Sequence, residues 1–388
     1  MASVRQTDPS VNLHLLVAAE GPLIESARKL GVNVHLLPLP ASLLTAGDYA
    51  LRGQGRYRAA LTMIPRTVPL AWKTWQYARR LKRFVDKIQP NIIHSNSNKF
   101  HLLTGLASLR RSCIVWHVRD FLGSRPLMSR VLRWAAGCCP TIIAISQAVE
   151  QDIRLVLQSV PTAVIHNAID TDHFTPGPGD GRRLDRLAGL PEVGADILRV
   201  GLVATFARWK GQNVFLEAAE EVLRDVPQLK LRFYIVGSPI YHTHGSQWSV
   251  SELKARAPHL LSTQRLGFVS FQEDIVEVYR ALDIVVHAST EPEPFGRTII
   301  EAMACAKAVI VARAGGTVEL YKHDVDAIGV LPGDVSGLAL AIRTLVEDAQ
   351  RRQRLCKQAR LTAVSRFNQS RLGQQILESY RVLLRGGV

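Results

Sequence analysis

The chain has 388 residues, of which 47% are hydrophobic and 21% are charged, and its formal net charge is +15. This composition excludes an intrinsically disordered chain, and the length is typical of two domains of about 150 to 200 residues each. No run of about 18 apolar residues lacks a charge or a helix breaker, and the opening MASVRQTDPS has no signal-peptide core. The five cysteines include no CxxC or CxxH pair. We therefore expect a cytoplasmic protein.

The elements of the first part of the chain alternate between short β-branched runs and helical patterns. The strand-like runs are VNLHLLV, NIIHS, CIVWHV, TIIAIS and TAVIHN, and helical patterns such as GPLIESARKL and QAVEQDIRLVL lie between them. Such alternation predicts a Rossmann-like domain with a parallel sheet over residues 1–172. The Pro/Gly-rich segment 173–197 is expected to link the domains.

The same alternation restarts at LRVGLVATF and continues through LRFYIVGS, DIVVHAS and AVIVARAGG. It predicts a second doubly wound α/β domain over residues 198–370. The final amphipathic stretch, SRLGQQILESYRVLL, predicts a helix over 371–388 that returns to the first domain.

Positive charge is concentrated early in the chain. Residues 1–180 contain 21 Lys/Arg and 11 Asp/Glu, against 27 and 22 in the remainder. Residues 51–85, from Arg52 to Arg83, hold nine basic residues and no acid, interleaved with aromatic side chains. This mixture indicates an anionic membrane surface as a partner, at the inner face of the membrane; the alternative is a solvated helix with its tryptophans in the core. A nucleic-acid-binding protein is suggested only by the pI near 10.0, without an RNP, KH or zinc-finger pattern, so nucleic acid is not expected as a partner.

The segment 289–301, STEPEPFGRTIIE, carries the chemistry. It follows the strand DIVVHA, and a helix is expected to open at Gly296 to Thr298. The first amides of that helix, from Gly296, Arg297 and Thr298, form an anion site suited to a diphosphate. Glu293 precedes the helix and Glu301 lies inside it, so the two carboxylates can accept hydrogen bonds from different hydroxyls of one ligand.

The spacing of Glu293 and Glu301, the AlaMetAla that follows and the glycines at 315 and 316 resemble the signature of retaining GT-B glycosyltransferases of family 4. The resemblance extends from about residue 12 to residue 380. It implies two Rossmann-like domains facing a cleft, with the acceptor on the N-terminal side and the nucleotide sugar on the C-terminal side. The implied reaction, in glycan or glycolipid biosynthesis, transfers a hexose from an NDP-sugar to a hydroxyl with retention. No metal and no cofactor is implied, and the acceptor is a glycan, a lipid-linked glycan or a small molecule.

The resemblance also implies roles for individual residues. These are Glu301 for the ribose hydroxyls, Glu293 for the sugar hydroxyls, the amides of Gly296, Arg297 and Thr298 for the phosphates, Lys210 for the leaving diphosphate, and His117 beside the reacting sugar carbon. A buried core histidine is the alternative for His117, and an ordinary surface lysine is the alternative for Lys210. Gly315 and Gly316 are equally well explained as a turn. A nucleotide-sugar epimerase of the same fold is the alternative activity.

Several positions depart from the family pattern. Thr205 occupies the place of an arginine, so Arg208 is the nearest replacement for the second phosphate cation. Ala168, Ala306 and Ala308 stand where two glycines and a proline are usual. Only ten residues precede VNLHLLV, which matches the second strand of the family fold. We therefore expect the first βα unit to be missing, which leaves an internal strand edge unpaired. This loss is expected to impair turnover more than it impairs nucleotide binding.

Overall fold

The computed structural model describes residues 1–45, 56–107, 109, 111–139, 141–158, 160–194, 196–239 and 245–385, without the side chains of 44, 45 and 56–69. The chain forms two compact units. The first comprises Met1–His166 and Ser370–Val388, and the second comprises Asn167–Gln369. Arg52 and the rest of 46–55 lie outside the described residues, as do the side chains of Arg56, Arg58 and Arg66.

The first unit contains two parallel sheets. Its strands are β1 (His14–Val17), β2 (Asn33–Leu36), β3 (Ile92–Ser95), β4 (Cys113–Val118), β5 (Thr141–Ala144) and β6 (Thr162–Val164). β1 pairs with β2, and the other four form a sheet in the order β3-β4-β5-β6. Within the described residues β1 has no partner other than β2, and β3 has none other than β4. The expectation that the first βα unit is missing beside one of these edges stays a prediction.

Seven α-helices lie in the described part of residues 1–166. They are α1 (Ala2–Thr7), α2 (Pro22–Lys29), α3 (Ala41–Thr45), α4 (Arg56–Ile88), α5 (Asn98–Leu106), α6 (Pro126–Ala135) and α7 (Gln147–Leu157). The start of α5 is capped by the Ser97 hydroxyl, which accepts from the Phe100 amide, and α7 is capped in the same way by Ser146. Both caps follow a strand directly, so the sequence ends each strand and begins the helix within a few residues.

The second unit is a six-stranded parallel sheet covered by helices. Its elements in chain order are α8 (Gly181–Leu187), β7 (Leu198–Val203), α9 (Gln212–Asp225), β8 (Leu231–Val236), α10 (Val250–Lys254), α11 (Pro258–Ser262), β9 (Leu266–Val269), α12 (Val276–Ala281), β10 (Ile284–His287), α13 (Arg297–Ala304), β11 (Ala308–Ala312), β12 (Ile328–Val330), α14 (Val335–Glu347) and α15 (Ala349–Phe367). The strand order is β12-β11-β10-β7-β8-β9. The central strands are mostly apolar because helices cover both faces of such a sheet, although β7 and β8 each contain one arginine and β10 ends in His287.

The last helix, α16 (Gln369–Arg385), returns to the first unit. Its apolar face joins a core cluster with residues from α1, β4, β5 and the position after β6, namely Val4, Val115, Ile143, Ile165, Ile376 and Leu377. Just before it, the chain segment around Asn368 is hydrogen bonded to the segment that leaves the first unit. The Ile169 amide donates to the Phe367 carbonyl over 2.9 Å, and the Asn368 amide group donates to the Thr171 hydroxyl over 2.6 Å.

The structure confirms the predicted fold of two parallel-sheet α/β units with a returning C-terminal helix. Residues 173–197, expected as a linker, lie in the second unit and include α8, whose first turn is capped by Asp180. The carboxylate of Asp180 accepts from the Arg183 amide, so a short helix forms within the Pro/Gly-rich composition. Among the helices that the structure describes, none combines the length and hydropathy needed to cross a membrane.

Candidate functional site

Two loops at the carboxyl edge of the second sheet bring the predicted donor-binding residues together. β7 and β10 are neighbours in the sheet, and each is followed by a loop that leads into a helix, α9 or α13. The chain order of the strands reverses between β7 and β10, and open parallel sheets bind ligands at such a switch point. The Thr290 amide donates to the Trp209 carbonyl over 2.8 Å, so the two loops are joined directly.

Gly211 allows the first loop to lie against the end of β10. Its φ is +74°, and a Cβ there would lie 1.9 Å from the carbonyl oxygen of Ala288. Only glycine combines this backbone conformation with this approach. Gly211 follows the 3-10 turn Arg208–Lys210 and precedes α9, so it fixes where Lys210 stands relative to the second loop.

Glu293 lies at the centre of a buried polar cluster. The Lys210 ammonium donates to both of its oxygens, over 2.8 Å to Oε1 and 2.6 Å to Oε2. The Ser289 hydroxyl donates to Oε2 over 3.0 Å, and His287 Nε2 lies 3.1 Å from the same oxygen. Glu293 retains 8% of its surface exposure and His287 retains 7%. A carboxylate so deep in the protein requires compensating donors, and this cluster supplies three.

These contacts keep Glu293 ionised. Burial is the largest single influence and opposes ionisation, but the hydrogen bond from His287 and the charge of Lys210 together outweigh it. They lower the pKa of Glu293 from an ordinary value of 4.5 to about 2. At neutral pH the site therefore presents an anionic hydrogen-bond acceptor beside an ammonium group.

The backbone of Glu293 is held by the glycines at 315 and 316. The Glu293 amide donates to the Ala314 carbonyl over 3.2 Å, and the Gly316 amide donates to the Glu293 carbonyl over 2.7 Å. Gly315 has φ +72°, and a Cβ there would lie 2.4 Å from the Glu293 carbonyl oxygen. The two glycines thus position the loop that carries Glu293, and a ligand contact of these glycines stays a prediction.

The predicted anion site lies at the start of α13. Gly296 is the N-cap and Arg297 the first helical residue, and the Ile299 amide donates to the Gly296 carbonyl over 3.1 Å. The amides of Gly296, Arg297 and Thr298 come before that bond and have no acceptor within the helix. The positive end of the helix dipole adds to these donors. The arrangement can bind a phosphate group.

Glu301 is buried one turn into α13. The Tyr279 hydroxyl donates to its Oε2 over 3.0 Å, and Arg297 donates to its Oε1 over 3.1 Å. Tyr279 is fully buried, and burial followed by the charge of Glu301 raises its pKa well above the usual value. The phenol therefore stays a donor. Each carboxylate oxygen has a second lone pair, so Glu301 can still accept from ligand hydroxyls.

Arg208 contacts groups other than this cluster. Its guanidinium donates to Glu252 over 2.7 Å and stacks over Trp248, with Cζ 3.8 Å from the ring centroid. The carbonyl of Thr205, at the position of the family arginine, accepts from the Gln212 side chain over 2.7 Å. The role of Arg208 as a second phosphate cation stays a prediction. In this role Arg208 has to release Glu252 and donate to the phosphate instead.

His117 is buried in the first unit, at one end of a chain of hydrogen-bonded side chains. Its Nδ1 is 3.0 Å from His94 Nε2, and His94 Nδ1 is 2.6 Å from the Tyr380 hydroxyl. His117 Nε2 is buried without a hydrogen-bond partner in the described part of the chain. Burial, then the charge of His94 and of Arg119, lowers the pKa of His117 well below its usual value. The ring is neutral, with one nitrogen committed to the protein.

Sequence reasoning missed His287, Ser289 and Tyr279. His287 and Ser289 end the run DIVVHAS, six and four residues before Glu293. A polar pair at the carboxyl end of an apolar parallel strand is a signal that could have identified both. Tyr279 lies in α12, far from Glu301 in sequence, and its contact depends on helix packing that no local pattern contains.

Two sequence families match the chain. The family described as "Glycosyl transferases group 1" matches residues 197–362, and "Glycosyltransferase Family 4" matches residues 23–173. Among curated relatives, D-inositol 3-phosphate glycosyltransferase of Salinispora arenicola is 31% identical over 56% of this chain and 48% of its own. Alpha-maltose-1-phosphate synthase of Mycolicibacterium smegmatis is 28% identical over 92% of this chain and 93% of its own. The chain spans about half the length of the first curated relatives it matches.

The fold is similar to that of solved glycosyltransferase structures. The crystal structure of Anabaena HepE in complex with UDP is 25% identical, with a TM-score of 0.76, and the match covers 98% of this chain and 94% of HepE. A sucrose-phosphate synthase from Thermosynechococcus elongatus shares the fold with a TM-score of 0.72 at 20% identity, covering 98% of each chain. The two family matches together account for both units, and the chain belongs to the GT-B glycosyltransferases of family 4, the glycosyl transferases group 1.

Proposed function

We propose that the protein transfers a hexose from a nucleoside diphosphate sugar to a hydroxyl acceptor, with retention of anomeric configuration and without a metal ion. The observation that carries this proposal is the pair of Lys210 and Glu293 beside the first amides of α13. An ammonium group and free helix amides suit a diphosphate, whereas a buried ionised carboxylate suits sugar hydroxyls. One end of the site thus favours negative charge and the other favours hydroxyl donors.

The nucleotide occupies the α13 side in this proposal. The amides of Gly296, Arg297 and Thr298 bind the phosphates, and Glu301 accepts hydrogen bonds from the ribose hydroxyls. Tyr279 and Arg297 hold the Glu301 side chain from two directions, which fixes the acceptor oxygens before the ligand arrives. The crystal structures of HepE contain UDP and UDP-glucose, so uridine nucleotides are the first donors to test.

Lys210 and Glu293 act at the reacting end. The bond from the anomeric carbon to the diphosphate oxygen breaks, and a bond to the acceptor oxygen forms on the same face of the sugar. The nucleoside diphosphate leaves with the electron pair of the broken bond, and its departing oxygen takes up the proton that the acceptor hydroxyl loses. Lys210 stabilises the charge that develops on the leaving diphosphate, and Glu293 orients the sugar through its hydroxyls. His117 is proposed as the histidine near the sugar carbon on the strength of the family resemblance.

The donor can be identified without knowing the acceptor. A thermal-shift series with UDP, GDP, ADP and their sugars should raise the melting temperature with one base only. A ligand at 100 times its Kd stabilises the folded state by about 2.7 kcal/mol. Lys210→Met should weaken this stabilisation, while Lys230→Met, which removes an exposed lysine paired with Asp196 in the same unit, should leave it unchanged.

The reaction is tested by product analysis once the donor is known. Candidate glycan, lipid-linked and small-molecule hydroxyl acceptors are incubated with the sugar donor, and the anomeric proton coupling of the product is measured by NMR. Retention is expected. An inverted product contradicts the proposed stereochemistry, and release of a free epimer without a glycosylated product identifies a nucleotide-sugar epimerase instead. Full activity after exhaustive chelation supports a metal-independent reaction.

An anionic membrane surface is proposed as a further partner.

A further inference from the structure

Helix α6 presents an apolar stripe to solvent. Leu127, Val131 and Trp134 are spaced four and three residues apart, so they lie along one face of the helix. They are 47%, 41% and 67% exposed. The opposite face of α6 is the one that packs inward, through Ser129, Leu132 and Ala135. The helix therefore has two apolar faces, and only one of them is used by the fold.

The surroundings of this stripe are basic. The sequence of α6, PLMSRVLRWA, contains two arginines and no acid. Arg130 is exposed, and Arg133 is held across to α7 by a 2.8 Å hydrogen bond from its Nε to the Val156 carbonyl. The nearest acidic group along the chain before the helix, Asp120, pairs with Arg125. The charged residues of α6 itself are thus all basic, while the Asp152 carboxylate accepts from the Leu122 and Gly123 amides in the loop before the helix.

Helix α4 also carries exposed aromatic residues. α4 and α6 both contact α5. Trp72 and Trp75 of α4 are exposed and stacked, with ring centroids 5.0 Å apart, and the Arg79 guanidinium lies 4.6 Å from the Trp75 ring. Exposed tryptophans and arginines thus occur on both helices that contact α5.

We propose that the outer face of α6, with the Trp72 and Trp75 pair of α4, binds an anionic lipid surface. Tryptophan, leucine and valine beside arginine are the composition of helices that lie in the membrane interface. The positive charge of α6 favours an anionic lipid surface over a second copy of the chain as the occupant of this face. Two copies that met through this face would bring Arg130 and Arg133 against their own counterparts with no acid of α6 between them. Anionic headgroups complement the same charges.

This surface extends the membrane proposal from the basic segment 51–85 to a helix that the sequence did not single out. It is independent of the donor site, which lies in the other unit. Lipid binding and glycosyl transfer can therefore fail separately. A vesicle assay with no donor or acceptor present measures the first without the second.

The test compares sedimentation of the full chain with vesicles of phosphatidylcholine alone and of phosphatidylcholine mixed with phosphatidylglycerol. The variant carries Leu127→Gln, Val131→Gln and Trp134→Gln, which keep helix propensity and remove apolar area. The matched control carries Leu340→Gln, Leu361→Gln and Val364→Gln, which are exposed apolar residues on helices of the second unit. We expect the wild type and the control to prefer anionic vesicles, and the α6 variant to lose at least about tenfold in partition.

Arg130→Gln should weaken partition about fivefold at low salt, and the difference should shrink as salt is added. Equal partition of the wild type onto neutral and anionic vesicles would overturn the proposal, as would an α6 variant that binds like the control. A wild-type dimer in analytical ultracentrifugation that the α6 substitutions dissociate, without any vesicle binding, would assign the face to a second copy instead.

Discussion

Lys210 donates to both carboxylate oxygens of Glu293, over 2.8 Å and 2.6 Å, although the two residues lie on loops from different strands. A lysine that contacts both oxygens neutralises the carboxylate while no ligand is bound. In the proposed reaction the same ammonium turns toward a diphosphate, and Glu293 gains sugar hydroxyls in exchange. The pair therefore keeps each charge compensated both before and after donor binding.

Substituting Glu293 should change stability in a pH-dependent manner. Its pKa is about 2 in the folded protein and 4.5 ordinarily, so the unfolded state binds the proton more readily. The stability contributed by ionised Glu293 is present above pH 4.5 and is lost as the pH falls toward 2. Glu293→Gln should therefore destabilise the protein at pH 7. The difference in free energy of unfolding between wild type and variant should shrink as the pH falls from 4.5 toward 2. Urea unfolding of both proteins across this range measures it, and a difference that stays constant with pH would contradict the assignment.

Glu301→Gln should weaken nucleotide-sugar binding by about 1.5 to 3 kcal/mol, because an ionised acceptor is replaced by an amide. The affinity is measured by calorimetry with the donor identified in the thermal-shift series. Tyr279→Phe removes the 3.0 Å bond to the same carboxylate and should weaken binding less. Glu277→Gln, which removes a partner of Arg280 on the surface of the same unit, serves as the control. An unchanged donor Kd for Glu301→Gln would remove Glu301 from the ribose site.

Gly315→Ala should disrupt the Glu293 loop and not merely strain the backbone. The new Cβ would lie 2.4 Å from the Glu293 carbonyl oxygen, at φ +72°. The control is Gly333→Ala, with φ +76° and no atom within 4 Å of its Cβ, which isolates the backbone cost of about 1 to 2 kcal/mol. We expect a larger loss of stability and of donor affinity for Gly315→Ala. Equal effects of the two substitutions on donor affinity would show that Gly315 does not position the site.

The histidines of the first unit should make it sensitive to mild acid. Burial, followed by the charges of Arg119 and the N-terminal amino group, lowers the pKa of His94 from 6.5 to about 4. Burial also lowers the pKa of His101 to about 3. Because these rings are neutral in the folded protein, unfolding takes up protons, and stability present above pH 6.5 is lost as the pH falls toward 4.

His94→Gln should flatten this dependence by up to about 1.4 kcal/mol per pH unit, the value for one proton. Unfolding of wild type and variant by urea at several pH values between 6.5 and 4 provides the two slopes. Parallel slopes would mean that His94 titrates alike in the folded and unfolded chains. Tyr380→Phe removes the hydroxyl 2.6 Å from His94 Nδ1 but keeps the His94 imidazole. This variant should be less stable while retaining most of the change of unfolding free energy with pH.

Local patterns predicted the parallel strands of both units, the β10 to α13 connection and both glutamates, because each depends on residues close together in sequence, but not the division of the first unit's strands into two sheets. Glu293 and Glu301 were recognisable from one loop and one helix start. The roles inferred for Lys210 and the two glutamates toward one ligand stay predictions. By contrast, His287, Ser289 and Tyr279 become partners only through burial and packing, and the exposure of Trp134 depends on which face of α6 the sheet uses. Periodicity cannot choose between two apolar faces of one helix.

The return of α16 to the first unit has a consequence for synthesis on the ribosome. The core of the first unit contains Val4 and Val115 from its beginning but also Ile376 and Leu377 from α16. The second unit, Asn167–Gln369, is continuous and is translated before Ser370 and the rest of α16. The unit whose translation begins first is therefore the last to complete its core. A nascent chain whose residues up to 369 have left the ribosome should hold a complete second unit and an unfinished first unit, and a short C-terminal deletion should damage the unit that was made first.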